Sequence, residues 1–474
     1  RQHRFRRRFH GSAGTAVMRF IGRLLAGGLC ATALLGQNAG DWQARLDERL
    51  ASTLAAFGAA GFSVAVVQNG SLVYAKGFGY ANIATSLPAS AETRYAVGSI
   101  SKQFTAAALL LEQERGKLSL DDKVGKYFPE LTRAGEISIR QLLSHTSGYE
   151  DYAPQDYLIP EWTKPTTPDA ILERWAKKPL NFDPGTRWQY SNTNYVIAGK
   201  ILEKVSGQAL LPFLKENFFE PLKMASAGDC AVKETTDATA YTRYALGPPR
   251  PVGREGDGWY FAAGELCMNP ADLGRWDIAF LQKRILSAKS YEEFTREVKL
   301  SSGKATHYAL GLQTGEMAGA RMLTHSGEVS GFLSMNSVFP EKNLGVAVLS
   351  NEDGVNLISA ATREAVTLIL DPPKPSAERQ DATVRKILEG LQTGQINRAL
   401  FTENANSYFA ETAVSDYHNS LLPLGRLLML SRQSESLRGG MTHLSYRARF
   451  EHESVTLNIY LTSDGKFEQF MVEE

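Results

Sequence analysis

Ser99-Ile100-Ser101-Lys102 runs directly into Gln103-Phe104-Thr105-Ala106-Ala107-Ala108-Leu109-Leu110-Leu111, with no Pro or Gly before Gly116. Ala and Leu dominate, which is strong helix composition, and Gly116 suits the helix C-terminus. On that helix Ser99 and Lys102 stand at i and i+3 and share one face. Ser99 falls in the first turn, where unpaired N–H groups and the helix dipole favour negative charge. A hydroxyl that must lose its proton, an amine one turn on and a positive helix end are the parts of an activated serine. The same spacing recurs at Ser301/Lys304 and Ser463/Lys466, but there Gly303 and Gly465 intervene and the segments read as turns.

The length of 474 residues predicts two or three domains, and an apolar fraction of 43% is ample for a large core. The net charge of +1 gives no electrostatic case for nucleic acid as a partner. The N-terminus differs from the rest. Arg1, Arg4, Arg6, Arg7 and Arg8 form a basic run without acid, and Arg19 and Arg23 precede the short apolar stretch Leu24–Gly36. That order reads as a basic arm and secretory signal over residues 1–40, too short to span a bilayer, with Met18 a candidate start. Leu29 before Cys30 is too bulky for a lipoprotein cleavage site. The expectation is an exported chain, periplasmic or extracellular, with no stable membrane span. Cys230 and Cys267 then either pair or remain buried thiols.

Residues 41–57 read as an amphipathic helix. Phe62–Val67, Asn69-Gly70 and Leu72–Ala75 read as a hairpin with an Asn-Gly turn. Residues 117–245 read as mainly helical, and strands return at Tyr308–Leu312, Met335–Phe339 and Leu344–Leu349 before a helix near 355–370. Sheet, helical insert, sheet and helix predict an α/β domain over 41–370: an antiparallel sheet flanked by helices, with an inserted all-helical lobe. Asp371-Pro372-Pro373-Lys374-Pro375 is a stiff linker. Residues 376–474 read as a small α+β domain: a helix at 377–394, further helical segments, then strands 444–450, 456–461 and 467–472.

An activated serine needs a base partner and an oxyanion hole. Tyr-x-Asn occurs at Tyr80/Asn82, Tyr190/Asn192 and Tyr417/Asn419. Only the second sits on a loop ahead of a helix in the helical lobe, able to reach a cleft. His325-Ser326-Gly327 precedes a strand, and its Gly permits close backbone approach. His145, in Leu142-Leu143-Ser144-His145-Thr146-Ser147-Gly148, reads as structural. No His pair has zinc spacing, and no Gly-x-Ser-x-Gly elbow of an α/β-hydrolase occurs.

Taken in order, Ser99-Ile100-Ser101-Lys102, Leu142–Gly148, Tyr190-Ser191-Asn192 and His325-Ser326-Gly327 resemble the motifs of the serine β-lactamase and penicillin-binding superfamily. The branch most resembled holds class C β-lactamases, D-alanyl-D-alanine carboxypeptidases, D-aminopeptidases and esterases. The resemblance spans about residues 42–370. It implies that Ser99 is the nucleophile of an acyl-enzyme and that Lys102 and Tyr190 handle its proton, Lys102 lowering the phenol's pKa. It implies that Asn192 orients the substrate amide, and that the N–H groups of Ser99 and Glu328 form the oxyanion hole beside Ser326 and Gly327. No metal or organic cofactor is implied, the partner is a small-molecule or peptide substrate, and the oligomeric state is left open. β-Lactamases of this group carry Lys where His325 stands, so a neutral imidazole titrating near 6.5 is expected to weaken recognition of a drug carboxylate. Glu265 stands where small residues are common and is expected to reshape the cleft.

The reading is an exported serine hydrolase acting on amides or esters, D-amino-acid peptides or esters favoured. A true class C-like β-lactamase and a penicillin-recognising sensor without turnover are the alternatives. Ser99 is then the one residue that a fluorophosphonate labels. Intact mass and peptide mapping are expected to place the adduct on Ser99 and to lose it in Ser99→Ala; an adduct on Ser301 defeats the reading.

Overall fold

The computed structural model describes residues 28–370 and 375–473, with side chains described over 42–370 and 377–473. The basic arm and the start of the apolar stretch, at 1–27, and the expected linker up to Lys374 lie outside the described residues. Gly28–Phe57 is one helix, so the helix expected at 41–57 begins earlier. No helix among the described residues is long and apolar enough to cross a membrane.

The Asn-Gly hairpin forms as expected. Asn69 and Gly70 have φ of 51° and 77°, the left-handed pair that a two-residue turn needs, and they join Gly61–Gln68 to Ser71–Asn82. Gly61–Gln68 then pairs antiparallel with Leu344–Ser350, Val64 opposite Val348. Among the described residues this sheet has seven strands in the order Leu87–Pro88, Ser71–Asn82, Gly61–Gln68, Leu344–Ser350, Phe332–Phe339, Ala320–Val329 and Gln313–Met317. Two segments more than two hundred residues apart thus meet at its centre, and the lobe between them is an insertion. Every residue of Leu344–Ser350 is buried, so water reaches neither face of the sheet there. Helices Pro270–Leu281 and Leu357–Leu370 pack on that strand.

The helix after Ser99 runs over Ser101–Glu114, and residues 101–110 are all buried. Phe104 lies 4.2 Å from Trp276 and 5.7 Å from Phe219, ring centre to ring centre, and Gln103 accepts the Trp276 indole N–H at 3.2 Å. Aromatic packing on both sides fixes where the helix begins. Ser99 itself sits in the 3₁₀ turn Gly98–Ile100 that feeds this helix, half a turn earlier than its composition implied.

Two expectations fail for local reasons. Tyr308–Leu312 is not a strand, because Gly311 at φ 73° turns the chain and the strand starts at Gln313. The lobe at 117–245 is helical mainly at Ile139–Leu143, Pro168–Ala176, Asn192–Ser206 and Leu210–Phe219, its many prolines leaving the rest as loops.

Beyond Pro375 come the helix Pro375–Gln392, two shorter helices and a four-stranded antiparallel sheet, Leu427–Arg438, Met441–Phe450, Ser454–Leu461 and Phe467–Glu473 in chain order. Leu427–Arg438 is a strand beyond the three read from the sequence. Its Ser, Gln and Glu residues lack strand propensity, and its ladder with Met441–Phe450 decides the outcome. Val384, Leu388, Leu444, Leu457, Ile459 and Phe470 form a core separate from the one under the nucleophile helix. Phe470 is 1% exposed. Phe470→Ala is expected to destabilise that core by about 3–5 kcal/mol. Fluorophosphonate labelling of Ser99 is expected to persist at temperatures where that core has melted, as read by a two-transition thermal scan.

Candidate active site

Backbone places the nucleophile. Gly98 has φ 49°, and a Cβ added there would stand 2.8 Å from the Glu328 amide nitrogen. A Cβ on Gly327 would stand 2.0 Å from the Val97 carbonyl oxygen. Only glycine permits that approach on both sides, and it brings the Glu328 amide against the turn that carries Ser99. Helix Asn192–Ser206 starts beside the same turn and carries Asn192, with Tyr190 two residues ahead.

The four expected polar groups converge. Lys102 Nζ lies 2.8 Å from Ser99 Oγ, 2.8 Å from Asn192 Oδ1 and 2.8 Å from the Ala263 carbonyl oxygen. The Tyr190 hydroxyl donates to Ser99 Oγ at 2.8 Å. Lys102 is wholly buried, and burial pushes its amine down to about 7, Asp151 acting in the opposite sense. A neutral amine has two N–H donors and one lone pair. Two of its three neighbours are carbonyl-type oxygens that only accept, so the lone pair is left for the Ser99 hydroxyl proton. Burial raises the Tyr190 phenol above its ordinary range, the Ser99 hydrogen bond offsetting part of this and Asp151 adding to it. The expected lowering of that phenol by Lys102 does not occur. Lys102 reaches Tyr190 across the ring face, 4.9 Å from its centre.

Sequence reasoning missed Asp151. Its carboxylate accepts the Asn192 backbone N–H at 2.9 Å and the Asn192 Nδ2 at 3.2 and 3.4 Å. With Nδ2 held there, Oδ1 faces Lys102. Three residues after Gly148, the only signal was an acid beside a motif.

His325 differs from its expectation. It is 2% exposed. Its Nδ1 lies 2.5 Å from the Ser326 carbonyl oxygen, which only accepts, so Nδ1 carries the proton; Nε2, 2.7 Å from the Tyr308 hydroxyl, then accepts. Burial and the nearby Lys102 push it down to about 3. It is neutral across the working pH range, not titrating near 6.5, and both nitrogens are occupied. Ser326 is half-buried on the same strand, and its hydroxyl has no hydrogen bond among the described residues. Tyr308, read as a strand residue, is the partner that sequence did not supply.

His145 is structural, as expected. Nδ1 accepts the Ser191 N–H at 3.2 Å, and the ring stacks 4.3 Å from Tyr190, bracing the loop that aims the phenol. Cys230, directly after strand Gly228–Asp229, forms a disulfide with Cys267 on the paired strand Leu266–Met268.

A serine held between an amine and a phenol at a helix start, on an antiparallel sheet with an inserted lobe, is the constellation of a serine acyl-transfer hydrolase. The beta-lactamase family profile matches residues 46–370, and the chain belongs to that family of serine hydrolases. It is 26% identical over 442 residues to a penicillin-binding protein of Bacillus subtilis, covering 86% of this chain and 94% of the other. Among solved structures it resembles an octameric penicillin-binding protein homologue from Pyrococcus abyssi, at a TM-score of 0.62 and 23% identity, covering 91% of this chain and 99% of that one. It also resembles a D-stereospecific amidohydrolase from Streptomyces, at a TM-score of 0.59 and 26% identity, covering 70% of this chain and 99% of that one. The shares of 86% and 91% exceed what 46–370 alone supplies, so both of these likenesses run into the C-terminal region.

Asp151→Asn keeps the shape and removes the charge. The lost charge-assisted bonds are expected to slow acylation of Ser99 by about 10–100-fold. Because the carboxylate stabilises the Lys102 ammonium, its removal lowers the Lys102 pKa, and the acid limb of the labelling rate is expected to move to lower pH.

Proposed function

We propose that this chain is an exported hydrolase that forms an acyl-enzyme on Ser99 and cleaves amides or esters, D-amino-acid amides and peptides foremost. The observation that carries the reading is the placement of Lys102 Nζ and the Tyr190 hydroxyl, each 2.8 Å from Ser99 Oγ. The likeness to a D-stereospecific amidohydrolase supports the substrate class. The basic arm with its apolar stretch and the Cys230–Cys267 disulfide support export to an oxidising compartment.

In acylation Ser99 Oγ bonds to the substrate carbonyl carbon and its proton passes to Lys102 Nζ. The N–H groups of Ser99 and Glu328 receive the developing oxyanion. Tyr190 gives its proton to the leaving nitrogen or oxygen as the carbonyl–leaving-group bond breaks, and Lys102 returns the proton to the phenol. Water reverses the sequence in deacylation. Asn192 orients Lys102 and the substrate amide.

A β-lactamase is the weaker reading, because the neutral, occupied His325 offers no charge to a drug carboxylate. His325 and Ser326 shape the cleft beside Gly327 instead.

The pH dependence follows from Lys102. Its folded pKa is depressed, so the amine is a base above about pH 7 and is lost as base when pH falls below that value. Acylation is expected to rise through about pH 7 and then level. His325 contributes no titration between about pH 5.5 and 8.5. Lys102→Arg, cationic throughout, is expected to lose about 10²–10⁴-fold with its acid limb gone. Stopped-flow acylation by a p-nitrophenyl ester checks both, and a rate that is flat across pH 7 contradicts the assignment.

A further inference from the structure

A cavity of about 80 Å³ opens beside the Ser99 turn. Gly264 and Glu265 form one wall and Val329 and Ser330 another, with Tyr260 and Phe332 also lining it. Both walls continue directly from atoms that surround the nucleophile. Ala263, which takes a Lys102 N–H, precedes Gly264, and a Cβ on Gly264 would stand 3.5 Å from the Gly98 carbonyl carbon. Val329 follows Glu328, whose amide lies against Gly98. The volume is that of about two or three waters, enough for one small polar group.

The charges of the lining are almost all spent. Arg94 donates to Asp237 Oδ1 and to the carbonyls of Asp229, Ser226 and Val232. Arg254 donates to the Cys230 carbonyl and pairs with Asp257 at 3.8 Å. Glu255 accepts both the N–H and the hydroxyl of Ser330, and Asp229 accepts the Ala231 N–H. Lys233 is exposed to solvent. Glu265 alone among the lining carboxylates has no hydrogen bond or ion pair among the described residues. Burial, with Asp229 and Glu203 nearby, pushes its carboxyl up to about 8, the behaviour of an acid that lacks a counter-charge.

We propose that this cavity receives an ammonium group on the acyl portion of the substrate, with Glu265 as its counter-ion and the Tyr260 and Phe332 rings beside it. A carboxyl that lacks a counter-charge, next to aromatic side chains, gains one from a bound ammonium, which favours its ionised form and draws off its proton. The assignment of acyl transfer to Ser99 underlies this proposal. It also gives Glu265 the task that its departure from a small residue posed in the sequence.

The test uses the full chain and p-nitroanilides of D-alanine, 3-aminopropionate and 4-aminobutyrate, each against its N-acetylated counterpart. For at least one pair the free amine is expected to be preferred about tenfold or more in kcat/KM, since each tenfold is about 1.4 kcal/mol of discrimination. In Glu265→Gln that ratio is expected to fall below about threefold. The ratio is taken within each enzyme, so it does not depend on how much of the variant folds. Fluorophosphonate labelling of Ser99 separates the two levels of failure. Labelled enzyme with no amine preference, or a preference that survives in Glu265→Gln, overturns the cation site. No labelling of Ser99 by any acylating agent overturns the acyl-transfer reading beneath it.

Discussion

A primary amine held out of water, with three oxygens around it, is the constraint on which the rest of the site depends. Lys102 meets Ser99 from the turn that feeds its own helix, and Asn192 and the Ala263 carbonyl from segments 90 and 161 residues away, and each distance is 2.8 Å. Desolvation makes the amine a base near neutrality, but only because its two carbonyl-type neighbours take the N–H donors and leave the lone pair directed at the hydroxyl. The nucleophile helix must therefore be buried along most of its length, the segment Ala262–Glu265 must turn a carbonyl inward, and Asp151 must keep the Asn192 amide from reversing.

Aromatic rings do much of the bracing. His145 lies against Tyr190, Tyr195, Tyr308 and Trp188, and Tyr308 in turn holds His325. A cluster of rings around a neutral imidazole is dry and stiff, which suits groups whose protonation is set by burial. It also explains why the His at the third motif is inert to pH. The same dryness that tunes Lys102 downward holds both histidines neutral.

What was legible in the sequence was what local chemistry writes plainly. The Asn-Gly turn, the Ala-rich helix after Ser99, and the alternating strands near the C-terminus all formed. Ser99, Lys102, Tyr190 and Asn192 come together, and Glu328 and Gly327 lie against the Ser99 turn. Three things were not legible. The strand Leu427–Arg438 carries no propensity of its own. Asp151 and Tyr308 gain meaning only through partners brought near by the fold. The protonation of Tyr190 and His325 depends on burial that no local window reports, so the lowering of the phenol by Lys102 that the resemblance implied pointed the wrong way, and the value of an exposed imidazole was too high for His325.

The pairing of Gly61–Gln68 with Leu344–Ser350 has a cost in time. Ser63 lies opposite Leu349, so the central ladder cannot close until nearly three hundred further residues exist. At ribosomal speeds that is an interval on the order of tens of seconds. Throughout it the hairpin's inner edge, with the β-prone run Val64-Ala65-Val66-Val67, has no native partner. A segment that ends almost wholly buried in the sheet is thus an open, adhesive edge in the nascent chain. Keeping it apart from other copies during that interval is a demand placed by topology, whatever the enzyme's substrate.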